Sequence, residues 1–127
     1  MNKTIDQTDD AEEARYYRAY LATHDSIREA ILRIKKALGG VKLEISEELG
    51  LMAELNALEG RKARIEAARQ AFSQGRGGIS PPSEAEINKI KAILNQIRKL
   101  TATAAKAKFG VKLATDALTL FNKIQKA

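Results

Sequence analysis

Ten apolar residues recur at alternating intervals of three and four along the last third of this chain. They are Ile90, Ile93, Ile97, Leu100, Ala104, Ala107, Val111, Ala114, Leu118 and Phe121. A stripe of that period runs along one side of an α-helix and matches no face of a strand. A helix with one long apolar side must bury it, and the natural partners are other helices carrying stripes of their own. Ser83 followed three residues later by Glu86 is a capping-box pattern just ahead of the stripe, so a helix is expected over 83–125. Unbroken, it would be about 64 Å long and would overhang partners of roughly 40–50 Å. Gly110 is the natural position for a break, which would turn this third helix into a third and a fourth.

Two earlier helices follow from the same periodicity. The first is expected over 11–38, with Tyr17, Tyr20, His24, Ile27, Ile31, Ile34 and Leu38 on one face. Acids at its start favour the helix dipole, and Gly39-Gly40 supplies a stop. The second is expected over 42–73, turning Leu49, Met52, Leu55, Leu58, Ile65 and Phe72 to the core. Its opening "VKLEIS" alternates like a strand, but a single short strand would find no partner in this chain. Residues 74–82, inside "SQGRGGISPPSEAE", combine glycines with two prolines and read as a flexible loop. The expected fold is all-α: an elongated antiparallel bundle of three long helices with coiled-coil-like spacing, in one domain over residues 1–127. Composition agrees, since 44 % hydrophobic and 30 % charged residues with no tryptophan and two prolines suit a helical globular chain.

Catalytic groups are scarce. His24, Asp25 and Ser26 are adjacent, but neighbouring side chains on a helix diverge by about 100° and cannot converge on one substrate atom. His24 falls within the apolar stripe, where a register-setting or packing role is expected. The sole histidine has Leu21, not Glu, three residues before it, so the Glu-x-x-His pattern of a bundle di-metal site fails. With no cysteine, thiolate chemistry and cysteine metal sites are excluded. "GRGG" at 75–78 follows no strand and does not form a phosphate-binding loop. The chain is expected to be no enzyme and to hold no cofactor or metal.

Two surfaces suggest binding instead. From Phe109 onward a second apolar stripe appears, comprising Phe109, Leu113, Ala117, Leu120 and Ile124. A segment apolar on two sides either becomes a fourth helix at the core or covers its spare side with another chain. Phe109, Leu113, Leu120 and Ile124 are therefore the expected protein interface, in a homo-oligomer or with a protein partner. Charge is the second signal: residues 1–60 carry −4 and residues 87–127 carry +8. Arg64, Arg69, Lys91, Arg98 and Lys99 would form an anion or nucleic-acid patch if the second and third helices paired. The patch is diluted by Glu59, Glu66, Glu84 and Glu86, and it lacks stacking aromatics apart from Phe72.

The sequence thus favours a non-enzymatic helical interaction protein, an adaptor, chaperone-like or assembly subunit acting by oligomerisation or partner-helix docking. A basic nucleic-acid-binding accessory protein ranks second. A small membrane-active toxin component ranks third, because Lys112, Asp116 and Lys123 interrupt the apolar segment. A polar, acidic start without an apolar core is not a signal peptide, so the expected location is the cytoplasm.

Overall fold

The computed structural model describes residues 3–40, 42–73, 82–101 and 103–124. They form four helices, α1 (Lys3–Gly40), α2 (Ile45–Ser73), α3 (Glu84–Arg98) and α4 (Ala104–Ile124). The chain is an all-α bundle with sequential helices antiparallel. Tyr16 of α1 lies against Phe72 at the end of α2 and Phe121 near the end of α4. Arg18 pairs with Glu84 at the start of α3, whereas Arg33 reaches the Arg98 carbonyl at its end, so α3 runs alongside α1 in the same direction. α1 and α4 form the central pair. α2 and α3 each pack on both of them and, among the described residues, do not touch each other.

The expected third helix is two helices, but Gly110 is not the break. The chain turns at 99–103, before Gly110 is reached. Lys99 closes α3 with αR geometry, and its N–H and that of Leu100 donate to the Gln96 and Ile97 carbonyls. Thr103 opens α4: its Oγ1 accepts from the Lys106 N–H at 3.2 Å, the N-cap role that favours a hydroxyl residue. Gly110 lies inside α4 and is buried. A Cβ built there would meet only Leu100 Cδ1, at 3.4 Å, an ordinary contact with a flexible side-chain end. Gly110→Ala should therefore stabilise the fold by about 0.5–1 kcal/mol through helix propensity, and a raised melting temperature checks it. A hinge glycine would give the opposite sign.

Other boundaries are close to expectation. The Ser83 capping box is complete, with Ser83 Oγ accepting from the Glu86 N–H at 3.1 Å and Glu86 Oε1 from the Ser83 N–H at 2.9 Å. α1 starts at Lys3 rather than near residue 11, because nothing in "TIDQTDDA" breaks a helix. α2 starts at Ile45, after a short non-helical connection at 42–44. Of the expected loop 74–82, residues 74–81 lie outside the described residues, while Pro82 is buried and its carbonyl accepts from Arg15 Nε at 3.0 Å.

α1 is buried over a wide arc because three helices pack on it. Tyr16, Ala19, Ile27, Ala30, Ile34 and Ala37 are all fully buried. Thr23 and Ser26 are buried too, and their hydroxyls donate to the Ala19 and Ala22 carbonyls at 2.8 Å, which satisfies them within their own helix. On α4 the face carrying Ala107, Gly110, Ala114, Ala117 and Phe121 is buried throughout. At one end a cluster of rings ties α1, α2 and α4 together. Tyr16 lies 4.2 Å from Phe72 and 5.6 Å from Phe121 between ring centroids, and Tyr20 6.1 Å from Phe121. Burial, with the neighbouring Tyr17 and Tyr20 phenols adding to it, pushes the Tyr16 phenol up to about 12.

Candidate interaction surfaces

The face expected to dock a partner is mostly consumed inside the bundle. Leu113 is only 7 % exposed and belongs to the core, and Leu120 is half-buried against it. The Ile124 side chain lies outside the described residues. Of the three whose side chains are described, only Phe109 stays open to solvent, at 44 %. The physical reason is the break at 99–103: it places α4 in the centre of the bundle, packed on all three other helices, so a second apolar face is what its position demands.

The basic residues fall into two groups. Arg64 and Arg69 belong to α2, while Lys91, Arg98 and Lys99 belong to α3 or its cap. Because α2 and α3 do not touch, the hairpin that would have merged them does not form. Arg69 is held 5.6 Å above the Tyr17 ring and 5.7 Å from that of Tyr20, a cation–π position. Arg64 borders a shallow recess between α2 and α4 with Arg61, Ile65, Leu118 and Asn122. Lys91 and Arg98 edge a cleft of about 360 Å³ between α1 and α3, whose walls also include Leu21, Leu94 and Asp25.

His24, Asp25 and Ser26 point to three different neighbours. Ser26 bonds back to its own helix, Asp25 faces Arg28 at 3.6 Å, and His24 Nε2 meets Glu66 Oε2 of α2 at 2.7 Å. His24 stacks on Tyr20, with centroids 5.5 Å apart, and Lys62 Nζ approaches the same carboxylate at 3.5 Å. This cluster pins α1 to α2. The His24 hydrogen bond, opposed by desolvation and reinforced by the Lys62 charge, holds the Glu66 carboxyl below its usual 4.5. A lowered acid stabilises the fold above the unfolded value and loses that contribution as pH falls through the folded one. Glu66→Gln should therefore flatten the loss of thermal stability below about pH 4.5. The effect should be modest because the carboxylate is 45 % exposed and screened by solvent. Among the described residues no group of three or more His, Asp or Glu is placed to hold a metal ion. None of the described helices is long and apolar enough to cross a membrane.

The surface that sequence reasoning missed is on α2. Leu49 and Met52, expected to face the core, instead face solvent at 61 % and 46 % exposure, and Ile45 beside them is 76 % exposed. The inward positions are Leu51, Leu58 and Ile65, with Leu55 and Phe72 partly buried against the core. The signal was present as two apolar stripes out of phase on one helix. Leu49 and Met52 fit the 3–4 period of a face, but Leu51, Leu58 and Ile65, at intervals of seven, mark the one that packs. Comparison of the chain with protein-family models, curated proteins and solved structures finds no match.

Proposed function

We propose that this chain is a non-enzymatic, cytoplasmic interaction protein, an adaptor or assembly subunit that works by docking a helical partner. The observation that carries this reading is the exposed apolar run Ile45, Leu49 and Met52 on the first turns of α2. Their spacing of four and three puts them on one line along the helix. Single exposed apolar residues are ordinary, but an aligned set of large ones is the kind of patch that marks a protein contact. A helix apolar on opposite faces is one that packs on both, and the bundle covers only one.

A photo-crosslinking residue at position 49, used in the native cells, tests the reading. It should give a discrete adduct, with a second copy or another protein, that the same residue at exposed Glu59 yields more weakly. No adduct at position 49 would overturn it. The nucleic-acid alternative is weaker because its five basic residues are divided between two flanks of the bundle.

A further inference from the structure

Arg61 and Arg64 lie three residues apart on α2 and border one recess against α4, together with Ile65, Leu118 and Asn122. Residues at that spacing are neighbours on a helix surface, and like charges there repel. Nothing in the chain offsets the repulsion. Apart from the two arginines themselves, the positions three and four residues from either one hold Ala57, Leu58, Gly60, Ile65, Ala67 and Ala68, so no ion pair can form along the helix. Across the recess α4 presents Leu118 and Asn122, both uncharged. The one acid of α4, Asp116, faces Lys112 at 3.8 Å, and Glu54 borders a separate recess with Lys108 and Lys112.

The Arg61 guanidinium is nonetheless held in place. It is half-buried and donates to Thr115 Oγ1 at 3.1 Å, while the proton of that hydroxyl goes to the Val111 carbonyl at 2.9 Å. A neutral hydroxyl thus occupies one of five guanidinium donors. Among the described residues Arg61 has no other hydrogen bond or ion pair, and Arg64 has none. Arg18, Arg28 and Arg33 each face a carboxylate instead. Two guanidinium forks at one recess without a carboxylate can each take a pair of oxygens from an incoming oxyanion.

Size and charge narrow the ligand. The recess is about 100 Å³, well below the roughly 300–1,000 Å³ of sites that enclose a drug-sized molecule. It takes an anionic group and leaves the rest of the carrier outside. Both arginines stay charged at any pH the fold withstands. A phosphomonoester, carrying about −1.5 to −2 near neutral pH on three free oxygens, matches them, whereas a carboxylate or an internal phosphodiester carries a single charge. We infer that the Arg61–Arg64 recess between α2 and α4 binds a phosphate dianion, with Asn122 supplying a neutral donor. The inference is independent of the interaction reading, because the recess lies apart from the exposed run Ile45, Leu49 and Met52.

Amide NMR titration of the full chain at pH 7.5 and fixed ionic strength tests it. Inorganic phosphate and glycerol phosphate should shift the amides of 61–65 and 118–122 with dissociation constants of about 1 mM, and acetate should not. Glycerol phosphate binding at least as tightly as the free anion assigns the recess to an ester; weaker binding assigns it to the free anion. Arg64→Gln should weaken both about tenfold with no change in melting, since Arg64 holds nothing within the bundle. Arg61→Lys should weaken them by a similar factor, because a point charge does not replace the fork. At pH 5 only about a tenth of a group with a pKa near 6 is dianionic. Glycerol phosphate should then bind about five- to tenfold more weakly, while sulfate, doubly charged throughout, keeps its affinity. An equal response to acetate, shifts spread over the lysine-bearing surface, indifference to Arg64→Gln, or an equal loss for sulfate at pH 5 would each overturn the inference.

Discussion

Phe121→Ala is expected to cost about 3–5 kcal/mol, the range for truncating a fully buried aromatic side chain. Phe121 is 0 % exposed, and its ring closes the cluster against Tyr16 and Tyr20. Three helices meet there: α1 through the tyrosines, α2 through Phe72, and α4 through Phe121 itself. Truncation therefore leaves a cavity whose walls belong to separate helices and cannot collapse by moving one side chain. A domain of this size has only about 5–15 kcal/mol in hand, so the melting temperature should fall by roughly 10–20 °C.

A second readout separates cavity formation from a general loss of stability. Tyr16 titrates near 12 because it is buried. Water admitted to the cavity should bring its ionisation back toward 10, measured by tyrosinate absorbance below the melting temperature. A phenol whose folded value lies above its unfolded value stabilises the fold at lower pH and loses that contribution as pH rises from about 10 through 12. The wild-type chain should thus unfold on the alkaline side with a steepness that Phe121→Ala lacks. A drop of less than about 1 kcal/mol would mean that the ring cluster is not the lock of that end of the bundle.

Much of this architecture can be read from residue spacing. None of the ten residues from Ile90 to Phe121 is exposed, so the stripe correctly marked burial. It did not mark continuity. A hairpin of two antiparallel helices keeps its apolar residues in step across the turn when Leu100 and Ala104 both stay against the core, as they do here. The turn itself uses Lys99, Leu100, Thr101 and Thr103 with no glycine or proline, so the usual punctuation is missing. Gly110, which carries that punctuation, lies buried inside α4 with room for a Cβ. The same limit explains Leu49, Met52 and Leu113. Periodicity finds apolar faces, but which of two faces points inward depends on how many neighbours a helix has. α4 has three and buries one face and most of the described part of the other, whereas α2 sits at the edge and leaves one open. The split of the basic residues has the same origin, because no local pattern states that α2 and α3 will lie on opposite flanks of the α1–α4 pair.

That central pair sets the second large effect. Ala107, Gly110, Ala114 and Ala117 share the α4 face that ends in Phe121, and Ala19, Ala30 and Ala37 are fully buried on α1. Small residues on facing helices shorten the distance between axes toward the low end of the usual 8–10 Å. The tyrosine and phenylalanine rings fill the end of the bundle where Tyr16, Tyr20 and Phe121 meet. Ala107→Leu and Ala114→Leu each add three carbons to a face with 0 % exposure at both positions. Each should cost about 1–3 kcal/mol, because overpacking forces strained rotamers or separates the helices. The two sites lie seven residues apart on one face, so relief at one helps the other only by pushing α4 away from α1 altogether. That movement would also break the Phe121 contacts, and the double variant is expected to lose about 4 kcal/mol or more, with exposed apolar surface detectable by dye binding. If both leucines were accepted with less than about 1 kcal/mol lost in chemical denaturation, the α1–α4 contact would have to be looser than its burial indicates. The bundle would then owe its cohesion to the isoleucines of α3 and the ring cluster rather than to close approach of its two central helices.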